Sequence, residues 1–434
     1  MSLPDYILNL LKLSIPIIIG QLGQMLIVAG DVYIATMFST KSVASIGLAS
    51  GFINPIFLFG IGLMMGISPS LAVLRGEGKD EKKSLSSVLV YSAVVGLVLT
   101  LLMLFLNQFV HLFGIDEALI PSIRSYISIV SWSFPFAIIF QGLKEYLQSF
   151  EKVIIPNLMS IIAVFLNLVI NYVLVFGVFE FAGIGETGLA VASLLIRFIL
   201  CLCMVIYVFK DYKLSGFCLD LTKHIFNFSL PIAFMFFLEV LAFCVVTILS
   251  GNLGIIEAAT NNIIMTIASI AFMIPLSISS AVAVKVGYAY GLKDKKMLLG
   301  YLQGAIVCAF VYIFFSANIF FLFSSNIMHF MTADLAVIEL GIKLLFIVAL
   351  FQLADGIQVV LSGILRGLDD TKSSSYLVFV GYWVIGIPFG IYLTFYRNFG
   401  CEGLWAGLAV SLLLVALTLS VLTNKRYREF VHQA

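Results

Sequence analysis

Asp31, Glu239 and Asp355 each lie inside a long apolar run, in the stretches MLIVAGDVYIATMF, MFFLEVLAFCVV and IVALFQLADGIQVVL. A carboxylate at bilayer depth costs about 2.5 kcal/mol or more, so three of them imply use: holding a metal ion, a proton or a cationic ligand. The competing role, a buried acid paired with a base for packing, lacks partners, because apart from Arg197 the mid-span segments contain almost no Lys or Arg. Two amides add to the set. Asn167 and Asn171 stand one helical turn apart and share a helix face, where they either join helices or supply neutral oxygens to a cation. Ser193 offers one more oxygen, although a lone serine in a helix usually serves packing.

The elements that carry these residues must be membrane helices. Of 434 residues, 62% are hydrophobic and 11% charged, and mean hydropathy is +1.13; a soluble chain is nearer half apolar and a quarter charged. Runs of about 20 apolar residues between short polar patches predict an all-α polytopic membrane protein. Twelve transmembrane helices are expected, near 9–36, 44–70, 85–107, 122–149, 153–177, 187–210, 225–250, 257–284, 298–324, 337–365, 374–396 and 402–424. Pro16, Pro55, Pro231, Pro275 and Pro388 are expected to kink their spans, and GIGLMMG (60–66) to bring helices close. The first span is too long for a cleavable leader, and none is expected.

Other classes find little support. No basic stretch interleaved with aromatics suggests nucleic acid, and the net charge is only +1. The six cysteines form no CxxC pair and read as small hydrophobes. The four histidines fall at span ends, in loops or in the tail, which leaves no intramembrane histidine relay. HExxH, an aspartate pair of intramembrane-protease type and a metal cluster are all missing, so neither an enzyme nor a cofactor is expected.

Eighteen cations fall on one side of these spans and four on the other (Lys41, Arg124, Lys343 and Arg397), with Lys12 and Arg197 counted inside spans. The positive-inside rule then puts both termini in the cytoplasm. The chain also repeats at a period of about 215 residues. LSIPIIIGQLGQ (13–24) falls over FSLPIAFMFFLE (228–239), GKDEKKSL (78–85) over LKDKKMLL (292–299), and GETGLA (185–190) over GCEGLW (400–405). Two pseudo-symmetric six-helix lobes follow, over 1–210 and 225–434, joined by a cytoplasmic linker over 211–224. Parallel repeats of this kind suit alternating access, with the lobes rocking around a midplane site. The acids break the symmetry: Gln24 stands opposite Glu239, Val246 opposite Asp31 and Phe140 opposite Asp355. A purely structural acid would have been duplicated with the fold.

In order and spacing, the motifs resemble the multidrug and toxic compound extrusion (MATE) transporters, in their NorM-like branch. They are AGDVYIATM late in span 1, a glutamate in span 7 eight residues after the SLP proline, FMIPLSISSAVAVKVG (272–287), ADGIQVVLSGILRGLDDTK (354–372), YWVIGIPFG (382–390) and LNLVINYVLVFG (166–177). The resemblance implies a bacterial cytoplasmic (inner) membrane antiporter, working as a monomer, that exports cationic or amphipathic drugs in exchange for Na⁺ or H⁺. It carries the embedded acids over as Asp31, Glu239 and Asp355, and the polar span-5 positions as Asn167 and Asn171. A sister branch has an aspartate where Asn171 stands, which shifts the expected Na⁺ site toward Glu239 and Asp355. Asp31 and Phe272, the aromatic beside the MIPLS run, are the residues expected to meet the organic cation. A flippase of lipid-linked precursors from the same superfamily is the alternative, although such proteins usually add two spans and line the cavity with arginines.

Overall fold

The computed structural model describes residues 2–79, 84–178, 181–214 and 216–433. Lys82 and Lys83, counted above among the cations of one side, and the middle of the GKDEKKSL block lie outside the described residues. In hydrocarbon every backbone N–H and C=O must find its partner within the segment, so a spanning apolar run folds as a helix. Eleven helices are long and apolar enough to cross a membrane, and one pair bent by 42° supplies the twelfth span.

In chain order the spans are α1 (Leu3–Phe38), α2 (Thr40–Gly76), α3 (Ser84–Phe113) and α4 (Ile120–Ser131 with Phe134–Ser149). They continue as α5 (Ile154–Phe176), α6 (Glu186–Asp211), α7 (Leu219–Leu253), α8 (Ile255–Gly291), α9 (Lys295–Met331), α10 (Leu335–Gly367), α11 (Thr371–Tyr396) and α12 (Cys401–Gln433). A two-residue antiparallel ladder, Gly177–Val178 with Phe181–Ala182, lies between α5 and α6. Side-chain caps start several helices: Ser39 accepts from Ser42 N at α2, Asp294 from Met297 N at α9, and Asp334 from Ala336 N at α10. Such caps satisfy backbone donors that have no partner inside the helix.

Helix continues unbroken through Pro16, Pro55, Pro231 and Pro275. A bend of 42° falls at Trp132–Ser133, just ahead of Pro135. In α11, Pro388 lies between two π-helical stretches, Val380–Gly386 and Tyr392–Tyr396. The 37 residues of α8 and of α9 span about 55 Å at 1.5 Å per residue, well beyond a hydrocarbon layer of about 30 Å.

The chain divides into two compact units, and neither is one continuous segment. One comprises Pro16–Leu71 and Lys79–Ala233; the other comprises Met1–Ile15, Ala72–Gly78 and Phe234–Ala434. The repeat placed the boundary at 211–224, whereas α7 as far as Ala233 belongs to the first of these units. Both α1 and α7 therefore change units beside a proline, at Pro16 and just after Pro231. The opening turns of α1 pack in the unit of the second half: the Tyr6 ring meets Tyr301 edge-on at 4.9 Å, and a Cβ on Gly300 would come within 2.2 Å of Tyr6. The opening turns of α7 pack in the other unit, where a Cβ on Gly62 would come within 2.6 Å of the Ala233 Cα. The small residues of GIGLMMG thus do provide close packing, as small residues do between membrane helices. In the unit of the second half, α10 is the enclosed element: 72% of its apolar window is buried, against 28% in α9.

Candidate cation sites

In the unit of Pro16–Leu71 and Lys79–Ala233, three helices converge on one carboxylate. Asp31 on α1 is 9% exposed. Its Oδ1 accepts from Asn167 Nδ2 at 3.0 Å and from Asn171 Nδ2 at 2.7 Å, both on α5. Its Oδ2 accepts from Ser193 Oγ on α6 at 3.1 Å. The four-residue spacing of the amides puts both on the face that meets α1. Gly30 lets that face approach, since a Cβ there would lie 3.2 Å from Asn167 Oδ1. Asparagine as glue and asparagine as site residue are thus one arrangement, with the acid as the shared partner. The amide oxygens of Asn167 and Asn171 are buried without a hydrogen bond, which leaves acceptors at hand for a cation.

Asp31 faces a partly open cavity of about 110 Å³, lined also by Gln24, Phe57, Gln141, Ser193 and Arg197. Arg197, treated above as an isolated span cation, therefore shares the cavity with Asp31. Its Nη1 donates to Ser133 Oγ at 2.6 Å, and its guanidinium lies 4.7 Å from the Phe57 ring centre.

The other unit holds the acid pair. Glu239 on α7 is 7% exposed and Asp355 on α10 is 2% exposed, and each lies within the other's electrostatic reach. Glu239 Oε1 accepts from the Tyr382 hydroxyl at 3.2 Å. Tyr382 is seated by rings: Phe243 lies 5.9 Å from it, Phe351 lies 6.2 Å from Phe243, and Trp405 lies 5.5 Å from Phe351. Next to it, Trp383 Nε1 donates to the Leu238 carbonyl on α7 at 3.0 Å. The π-helical turn over 380–386 is the local device that aims consecutive residues of α11 at α7.

Asp355 Oδ1 has no hydrogen-bond partner, and neither do Gln358 Oε1 or Ser362 Oγ. Gln358, Ser362 and Phe272 line a small cavity with Glu239. Asp355, Gln358, Ser362 and Arg366 follow one another at helical spacing along one face of α10. Carboxylate, amide and hydroxyl oxygens are the donors that suit a hard cation. Among the described residues no three His, Cys, Asp or Glu side chains gather as a metal centre.

Three of the cations counted above on one membrane face are buried in the protein. Lys144 is 2% exposed, Lys285 7% and Arg366 2%. Lys285, expected in a loop, lies within α8, its Nζ 5.7 Å from the Tyr301 ring centre. Arg366 Nη2 donates to Ser279 Oγ at 2.6 Å and lines the cavity of Glu239. Sequence reasoning passed over Tyr382 and Arg366 as site residues. Their signals were the start of YWVIGIPFG and the spacing of Arg366 three helical turns beyond Asp355.

The MatE family profile matches residues 16–173 and again 231–392. The two matches begin at Pro16 and Pro231, the offset of the internal repeat. The chain is 28% identical to the probable multidrug resistance protein NorM of Photorhabdus laumondii, over 98% of this chain and 96% of that one. It is likewise 28% identical to the multidrug resistance protein NorM of Vibrio cholerae, over 95% and 93%. Among solved structures, the outward-facing conformation of a multidrug resistance MATE family transporter of the MOP superfamily superposes with a TM-score of 0.89 at 20% identity, covering 98% and 96%. A MATE crystal structure in the bent conformation gives 0.90 at 18% identity, again over 98% and 96%. With the profile covering both halves and NorM relatives aligned nearly end to end, the chain belongs to the MatE family, as a NorM-like MATE transporter of twelve spans.

Proposed function

We propose that the chain exports cationic or amphipathic organic molecules from the bacterial cytoplasm in exchange for Na⁺ or H⁺. The observation that carries this reading is the acid pair: Asp355 is buried with one carboxylate oxygen unbonded, beside Glu239. Two carboxylates so placed favour any ligand that brings positive charge. An organic cation and a coupling ion that need the same acids exclude one another, and each lowers the other's affinity by the same factor. That competition yields antiport as the two halves rock and expose the acids to each side in turn. The names of both NorM relatives support drugs as the substrate class. They give no support to a flippase of lipid-linked precursors.

Na⁺ is the proposed ion at Glu239 and Asp355, because the region offers several oxygens and a proton needs only one. The test is efflux of a fluorescent organic cation from proteoliposomes at fixed pH, with and without an inward Na⁺ gradient, the proton gradient being collapsed. Dependence on Na⁺ supports the proposal; dependence on pH alone overturns the choice of ion. Both termini are proposed to be cytoplasmic, from the cation count. A cysteine at Lys295 should then be labelled only from inside and one at Thr40 only from outside; the reverse pattern would invert the orientation.

A further inference from the structure

A second cavity in the unit of Pro16–Leu71 and Lys79–Ala233 lies where α2, α4 and α6 begin. It is partly open, offers about 240 Å³, and is lined by Ser45, Ile46, Pro121, Ser122, Ser125, Tyr126, Glu186 and Thr187. Its chemistry is one carboxylate among hydroxyls. Glu186 Oε1 accepts from Ser122 Oγ at 2.5 Å and Oε2 from Ser42 Oγ at 3.2 Å. Each carboxylate oxygen thereby keeps acceptor capacity, and among the described residues Glu186 has no salt-bridge partner. Ser45, 2% exposed, presents a hydroxyl with no hydrogen-bond partner to the same cavity. A buried hydroxyl without a partner costs about 1–3 kcal/mol, and a bound ion or its water would recover that. Tyr126 connects the two places: it lines this cavity and also neighbours Ser193, Asp31 and Arg197.

We propose that the Glu186 cavity is a waiting site for a hard, partly hydrated monovalent cation on its way past Tyr126 to Asp31. Oxygen-only donors select a hard cation over a soft one. A single carboxylate matches a single positive charge, which disfavours Ca²⁺ and its usual demand for several acidic ligands. The ends of α2, α4 and α6 that form the cavity are, by the cation count, on the outer face, where Na⁺ is abundant. Arrival at Asp31 rests on the reading of that acid as a cation site; binding at Glu186 does not.

The test is equilibrium binding of ²²Na⁺ to the purified full chain in lipid nanodiscs. Four proteins are compared: wild type, E186Q, the triple variant D31N/E239Q/D355N, and the triple variant carrying E186Q as well. The triple variant should retain weakened Na⁺ binding, and adding E186Q should lower what remains at least tenfold. Equal binding with and without E186Q in that background overturns the proposal. If the triple variant binds Na⁺ as wild type does, the reading of the membrane acids fails, while a further loss with E186Q still supports this site. Should the quadruple variant not fold, proteoliposome efflux decides. E186Q alone should raise the external Na⁺ concentration for half-maximal efflux threefold to tenfold, and S45A/S125A two- to threefold. No shift in either variant overturns the proposal.

Discussion

The two halves bury acids in opposite conditions. Asp31 is met by three neutral donors from two helices, and both of its oxygens are used. Asp355 keeps an oxygen with no partner, and Glu239 receives one tyrosine hydroxyl. A carboxylate with its own hydrogen bonds ties helices together and holds its geometry without a ligand. A carboxylate pair with so few hydrogen bonds gains less from its surroundings, which supports the proposal that Glu239 and Asp355 are the ligand-binding acids. The halves thus differ in where acceptor capacity is left over: on the amides beside Asp31 in one, and on the carboxylate of Asp355 itself in the other.

The sharpest test of that contrast is Asp355→Asn or Glu239→Gln. Either should cut export of an organic cation about 100-fold, which is about 2.7 kcal/mol of lost coupling, and leave the melting temperature of the purified protein near wild type. A large fall in melting temperature would mean the pair is structural after all. Asp31→Asn should also impair export, but with a stability cost: three hydrogen bonds at about 0.6 kcal/mol each within a membrane protein give about 2 kcal/mol. Unchanged melting of this variant would erase the distinction between the halves. Asn171→Asp goes the other way by giving the first half an acid pair of its own. Two adjacent carboxylates repel unless a cation sits between them, so ²²Na⁺ affinity should rise about tenfold. Unaltered affinity would show that carboxylate number is not what separates the sites. The smallest effect is expected from Tyr382→Phe, which removes one hydroxyl donor from Glu239. It should shift the Na⁺ concentration for half-maximal efflux about threefold to tenfold, the worth of about 1 kcal/mol.

Much of this was legible in the residues. Period, hydropathy and the repeat gave twelve spans whose ends lie within several residues of the helices, and the asymmetry of Asp31, Glu239 and Asp355 across the repeat picked out acids that the fold buries. Asn167 and Asn171 announced their shared face by spacing alone. Ser193 could not, because one serine on a helix carries no period, and its role depends on which residue α1 turns toward it. Tyr382 was hidden by a π-helical turn, which shifts side-chain phase by a residue that no α-helical count anticipates. Lys144, Lys285 and Arg366 are buried, which a count of cations by span does not reveal, because burial depends on which neighbours pack against each helix. Pro16 and Pro231 lie where α1 and α7 change units, a division that the repeat alone does not show.

That exchange of arms has a consequence for synthesis. Tyr6 leaves the ribosome early, but Tyr301, the ring it packs on, follows only after nearly three hundred residues. At about 5–20 residues per second the interval is about 15–60 s, during which the first arm is in the membrane without its seat. The opening turns of α7 meet the reverse situation, since Gly62 and Gly66 are already in place when Ala233 and Ser229 arrive. Assembly therefore cannot finish half by half. A chain cut between the halves would leave each fragment carrying the other's arm, and the two would regain a native fold only by being made together.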